Sequence, residues 1–176
     1  MPEKEHQREV LVEKRARALA MMLLTRHANL LIEEVKDDVG LDLVVRFHTE
    51  GKEGLREFGI KLRGAWAATT KDQADKALRP TVQRMKSYGP FPRPVCLFFF
   101  TMENDDAWYA WVAQPIESED GKPLLRSCDE PDCRPLDKKA LKELIERVDL
   151  WYDALFPSLI ANGPGASRAG HKGAKQ

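Results

Sequence analysis

The segment LDLVVRFHTEGKEGLREFGIKLRG, residues 41–64, decides the fold because it contains two alternating apolar runs separated by a polar turn. The apolar positions of the first run share one strand face: Leu41, Leu43, Val45 and Phe47. Those of the second run do the same: Phe58, Ile60 and Leu62. Two glycines in residues 49–54 favour a hairpin turn. Paired in this way, the strands bring Asp42, Glu57 and Lys61 together on the opposite face.

Further helices and strands are predicted around this hairpin. Apolar residues at three- and four-residue steps predict helices over 5–28, 71–87 and 138–156. Asp137 is placed to cap the last helix, and Pro80 is expected to kink or divide the second. Short apolar runs predict strands over 29–35, 95–101 and 107–113, whereas residues 128–135 are expected to form a loop.

The order of these elements predicts the fold class. A helix, three strands, a helix, two strands and a helix indicate an α/β fold with a mixed central sheet in three layers, helix–sheet–helix. The strands 95–101 and 107–113 are apolar on both faces, which suits a sheet covered on each side. We expect one domain over residues 1–161 and a disordered tail over 162–176, which is rich in Gly, Ala and Lys.

The composition is that of a soluble globular chain without a strong net field. Of 176 residues, 43% are hydrophobic and 32% are charged, and the 28 basic residues equal the 28 acidic ones in number. Any attraction to nucleic acid must therefore come from a local surface. Three cysteines are too few for a disulfide scaffold, and the longest apolar run, VCLFFF at 95–100, is too short to span a bilayer. With no export signal apparent, we expect a cytoplasmic prokaryotic protein without a membrane partner.

Two groups of side chains have chemistry that suits nucleic acid. Trp108, Tyr109 and Trp111 could stack on bases, but so apolar a strand is more typical of a core. A basic group surrounds the second helix and could contact phosphates or could simply be solvated: Arg79, Arg84, Lys86 and Arg93.

Two short motifs in this frame carry a family resemblance. The first is Asp37-Asp38-Val39-Gly40-Leu41-Asp42 and the second is Gly59-Ile60-Lys61, followed by YGPFPRPV and AWYAWV. Over roughly residues 8–115 the chain resembles the PD-(D/E)XK nuclease superfamily. The resemblance is to a prokaryotic branch of restriction-endonuclease-like domains of unassigned function with the motifs D-x-x-G-[IL]-D and [QE]-x-K.

The resemblance implies a catalytic site for phosphodiester hydrolysis with Mg²⁺ or Mn²⁺. It implies Asp42 as a metal ligand and Lys61 as the catalytic lysine, and it makes Glu13 on the first helix a further metal ligand. Mg²⁺ prefers oxygen ligands, often one or two carboxylates with water and substrate phosphate. A nearby lysine can orient or deprotonate the attacking water and stabilise developing charge.

Gly59 departs from the family motif because it stands where the motif has Glu or Gln and offers no ligand atom. Glu57, two residues earlier on the same strand face and about 6.5–7 Å away, is the first candidate to replace it as a metal ligand and catalytic residue. Glu33, Glu34 and Asp38 are further candidates.

The resemblance therefore predicts a Mg²⁺-dependent DNA endonuclease, with DNA expected rather than RNA, linked to defence or to mobile DNA. The alternative, favoured by Gly59, is a catalytically inactive nuclease-fold module for nucleic-acid binding or protein interaction. A homodimer or a protein partner is a further expectation, because the last helix has three aromatic side chains beyond the needs of one packed face: Trp151, Tyr152 and Phe156.

Overall fold

The computed structural model describes residues 2–35, 40–67 and 69–161. The chain is α/β with a mixed sheet, which confirms the predicted class. Its elements, in chain order, are α1 (Pro2–Leu24), β1 (Leu30–Glu34), β2 (Leu43–Phe47), β3 (Arg56–Ala65), α2 (Lys71–Lys86), β4 (Val95–Thr101), β5 (Ala107–Glu117), β6 (Pro123–Ser127), β7 (Arg134–Pro135) and α3 (Lys138–Ala161). The predicted tail lies outside the described residues, as do motif residues Asp37 and Asp38.

The sheet has the strand order β1-β2-β3-β4-β5-β6, and the short β7 also pairs with β5. Strands β1, β2 and β3 form an antiparallel meander, as the hairpin pattern predicts. Strands β3 and β4 are parallel, and α2 makes the crossover that a parallel pair requires. The remaining pairs are antiparallel.

Alternation along the strands divides the core between the two faces of the sheet. Leu43 and Val45 of β2 pack in one cluster with residues of α1 and α3, including Ala20 and Leu144. Val44 packs in a second cluster with residues of α2. Strand β4 contributes to both clusters and is buried along its whole length, as its two apolar faces predict.

Several predicted boundaries are wrong. Helix α1 ends at Leu24 rather than at 28, because the chain turns there and His27 N–H bonds to Leu24 O (3.0 Å). Helix α2 continues through Pro80 without a break. Strand β6 was missed, and within the predicted loop 128–135 the short β7 pairs with Trp108 and Tyr109 of β5. The capping role of Asp137 is confirmed, since its side chain accepts the Ala140 N–H (2.7 Å).

The aromatic residues of α3 are used within the chain. Trp151 donates its indole N–H to Leu124 O (2.9 Å), and Tyr152 donates its hydroxyl to Glu57 O (3.1 Å). Both side chains are buried, and Phe156 stacks obliquely on Tyr152 with ring centres 5.4 Å apart. Intramolecular packing thus accounts for the aromatic surplus on which the dimer expectation rested.

Across the described residues, no helix combines the length and apolar character needed to span a membrane.

Candidate active site

Asp42 directly precedes β2 and lies beside the part of β3 that extends beyond the residues paired with β2. The pairing of β2 with β3 ends at Leu43 and Ile60, and β3 continues to Ala65. At Leu62 no residue of β2 pairs with β3, and the backbone N–H donates instead to Asp42 Oδ2 (2.7 Å). A charge-assisted bond of this kind fixes the side chain at the edge of the sheet.

Two cations face this carboxylate. Lys61 Nζ lies 3.1 Å from Asp42 Oδ2, and Arg17 Nη2 of α1 lies 3.8 Å from Oδ1. Arg17 also donates to Glu34 Oε2 (3.0 Å), so it connects α1 with the end of β1. The Asp42 and Lys61 side chains are only 20% and 15% exposed, so their attraction is screened less than that of a surface pair.

Asp42 and Lys61 line a pocket of about 610 Å³ between α1 and the free edge of β3. Glu13 lines the same pocket from α1, and Trp66 lines it just after the end of β3. The structure therefore brings Asp42, Lys61 and Glu13 to one pocket. Glu57 is not among the residues that line it.

Glu57 is held elsewhere by two arginines. Its Oε2 lies 3.1 Å from Arg46 Nε, and its Oε1 lies 3.0 Å from Arg93 Nη1. Arg46 also binds Glu33, and hydrogen bonds to Glu33 and then to Glu57 raise the pKa of Arg46. Glu57 and Glu33 thus belong to a charge network across β1, β2 and β3.

The motif position at Gly59 is filled by the side chain of Leu41. A Cβ at residue 59 would lie 2.7 Å from Leu41 Cδ1 and 3.0 Å from Leu41 Cδ2. The chain bends at Asp42, and Leu41 packs with Val44 on the α2 side of the sheet instead of with Leu43 as strict alternation predicts. The place of the family's second acid is therefore apolar in this chain.

The basic residues near α2 are largely paired with acids. Arg79 contacts Glu130 (2.6 Å), Lys86 contacts Asp129, and Arg93 contacts Glu57. None of them lines the pocket with Asp42. The aromatic residues of β5 pack against the core clusters, as the core interpretation predicts.

The pocket can offer a hard cation the minimal carboxylate set. Within residues 2–35, 40–67 and 69–161, no three His, Cys, Asp or Glu side chains converge on a metal site. Mg²⁺ is commonly bound by one or two carboxylates with water and phosphate completing its shell. Four carboxylates line the pocket: Glu5, Glu9, Glu13 and Asp42. The family resemblance points to Asp42 and Glu13 for this part, and Lys61 adds a positive charge beside Asp42.

Sequence reasoning missed two contributors to this pocket. Arg17 belongs to neither motif, and its contact with Asp42 depends on how α1 lies across the sheet. Trp66 was missed because it follows the strand rather than belonging to it.

Comparison with known proteins finds no matching family model and no matching curated protein.

Proposed function

We propose that this chain is a restriction-endonuclease-like domain that hydrolyses phosphodiester bonds in DNA with Mg²⁺ or Mn²⁺. The observation that carries the proposal is the contact between Asp42 and Lys61 (3.1 Å) in a pocket that Glu13 also lines. An antiparallel β1–β2–β3 meander followed by α2 and a parallel β4 supports it, because that is the element order of the family resemblance.

In this proposal the residues of the pocket divide the work. Asp42 and Glu13 would hold the divalent ion, which when bound would neutralise phosphate charge and make water more acidic. Lys61 orients the attacking water and stabilises the charge that develops on the phosphate. Arg17 and the Leu62 N–H fix the Asp42 carboxylate. The water oxygen bonds to phosphorus and releases one proton to solvent, the bond from phosphorus to the leaving oxygen breaks, and that oxygen takes up a proton from solvent.

A second candidate is the catalytically inactive module, and a specific observation favours it. Leu41 covers the position at Gly59 where the family motif has its second ligand. Two cations, Arg17 and Lys61, also compensate the charge of Asp42 in place of a metal. In this alternative the pocket binds a nucleic acid or a protein but does not cleave.

Titration calorimetry with Mn²⁺ separates the two candidates. We expect one Mn²⁺ to bind the wild-type chain. Asp42→Asn should lower the affinity for Mn²⁺ at least roughly tenfold, because even the loss of an outer-shell partner of a metal ligand usually costs that much. Asparagine keeps an oxygen acceptor for the Leu62 N–H, so the edge of the sheet is preserved. Glu13→Gln should weaken binding as well, and Asp120→Asn in the exposed β5–β6 turn is the matched control.

Two results would contradict a metal site at Asp42. No heat at millimolar Mn²⁺ would support the inactive module. Binding that Asp42→Asn leaves unchanged would place the ion elsewhere.

A further inference from the structure

Trp66 presents an aromatic surface at one end of the pocket. The residue directly follows β3 and is 49% exposed. Among the described residues that line the pocket it is the one aromatic side chain. The Arg8 guanidinium lies over the indole, 4.6 Å from the ring centre.

An exposed indole with a guanidinium over its ring is suited to an unpaired nucleobase. Aromatic side chains stack on bases of any sequence, and arginine adds a cation–π contribution. Lys61 lies on β3 five residues before Trp66, about 16 Å away along an extended chain.

We propose that the pocket takes single-stranded DNA, with a base stacked on Trp66 and the backbone running toward Lys61. In a duplex the bases stack on one another and present no free face, so a duplex gains nothing from Trp66. The proposal rests on the proposed function and names its substrate form.

The opposite wall of the pocket sets a condition for binding. Glu5, Glu9 and Glu13 line it from α1 at four-residue steps. These carboxylates repel phosphates, so the backbone must follow the β3 side of the pocket, where Lys61 lies. Binding of an oligonucleotide is therefore expected to require a divalent cation.

Fluorescence anisotropy with a labelled oligothymidylate long enough to span this distance tests the proposal. The measurement uses the full chain in Ca²⁺, which takes the same kind of oxygen ligands as Mg²⁺, and a blunt duplex is the comparison. Trp66→Leu should weaken single-strand binding roughly 5- to 150-fold, the usual effect of losing one base stack. The affinity of Trp66→Phe should lie between those of Trp66→Leu and the wild type. Tyr88 is an exposed aromatic residue outside the pocket, so Tyr88→Leu should bind as tightly as the wild type.

The outcomes distinguish this proposal from the proposed function. If Trp66→Leu binds the oligothymidylate as tightly as the wild type, or if the wild type prefers the duplex, the stacking proposal is overturned. If Mn²⁺ still binds at Asp42 in that case, the metal site stands. If neither Mn²⁺ nor oligonucleotide binds, both proposals fail.

Discussion

Replacing Arg56 with methionine is expected to lower the free energy of unfolding by about 3 kcal/mol, the lower end of the range for breaking a buried ion pair. The Arg56 side chain is 1% exposed and contacts Asp149 and Asp153, the latter through Nη2 at 2.8 Å. Its Nη1 also donates to Glu53 O and Gly54 O, both at 2.9 Å. Methionine leaves these acceptors unpaired, and the lower end applies because Asp153 is 34% exposed and therefore partly solvated.

Urea unfolding followed by circular dichroism measures this loss. Arg147→Met, an exposed change on α3, is the matched control and should stay within about 0.5 kcal/mol of the wild type. If Arg56→Met were as stable as that control, the side chain would not anchor α3 to the hairpin.

The same cluster should make stability depend on acid. Burial alone would raise the pKa of Asp153, but hydrogen bonds from Lys52 and Arg56 outweigh it and lower that pKa below its ordinary 3.8. A lowered carboxyl pKa contributes stability above the ordinary value, and this contribution is lost as pH falls below it. The wild type should therefore lose stability faster than Arg56→Met in this acid range. Parallel profiles would contradict the assignment.

Introducing the family's motif residue by Gly59→Gln is expected to destabilise the chain by about 1–3 kcal/mol, as overpacking of a core does. The new Cβ would lie 2.7 Å from Leu41 Cδ1, and Leu41 is itself 5% exposed. Leu41→Ala alone should cost about 2–5 kcal/mol through lost burial and a cavity. Because the two side chains compete for one space, the double variant should cost less than the sum by roughly 0.5–3 kcal/mol.

The four proteins of this cycle are compared by urea unfolding, with Ser127→Gln on exposed β6 as a control for the amide itself. Strict additivity would mean that Leu41 does not fill the motif position. A stable Gly59→Gln with tighter Mn²⁺ binding would mean that the position had been open to a second ligand.

The sequence predicts the hairpin well because large apolar side chains recur at every second residue of β2 and β3, and a period of two is a strong signal. It fails at Leu41 and Asp42, where the chain bends before β2 begins and alternation no longer applies. Strand β6 was missed because its run PLLRS is short and mostly exposed. Local sequence pattern alone predicts neither the bend before β2 nor strand β6.

The candidate site was predictable only in part for a similar reason. Asp42 and Lys61 face each other across a hairpin, so local spacing places them together. Glu57 shares the strand face with Lys61, but Arg46 and Arg93 hold its carboxylate, and Arg93 comes from a loop distant in sequence. The contact of Arg17 likewise depends on tertiary packing of α1.

Cleavage of closed circular DNA tests the central claim most directly. The wild-type chain with Mg²⁺ or Mn²⁺ should cut circular DNA in single-stranded or double-stranded form, and Asp42→Asn and Lys61→Met should each slow it by about 10²-fold or more. Asp120→Asn and Lys142→Met, both exposed, should cut as the wild type does. No cutting of either form by the wild type, or cutting that survives both substitutions, would contradict a catalytic role for Asp42 and Lys61.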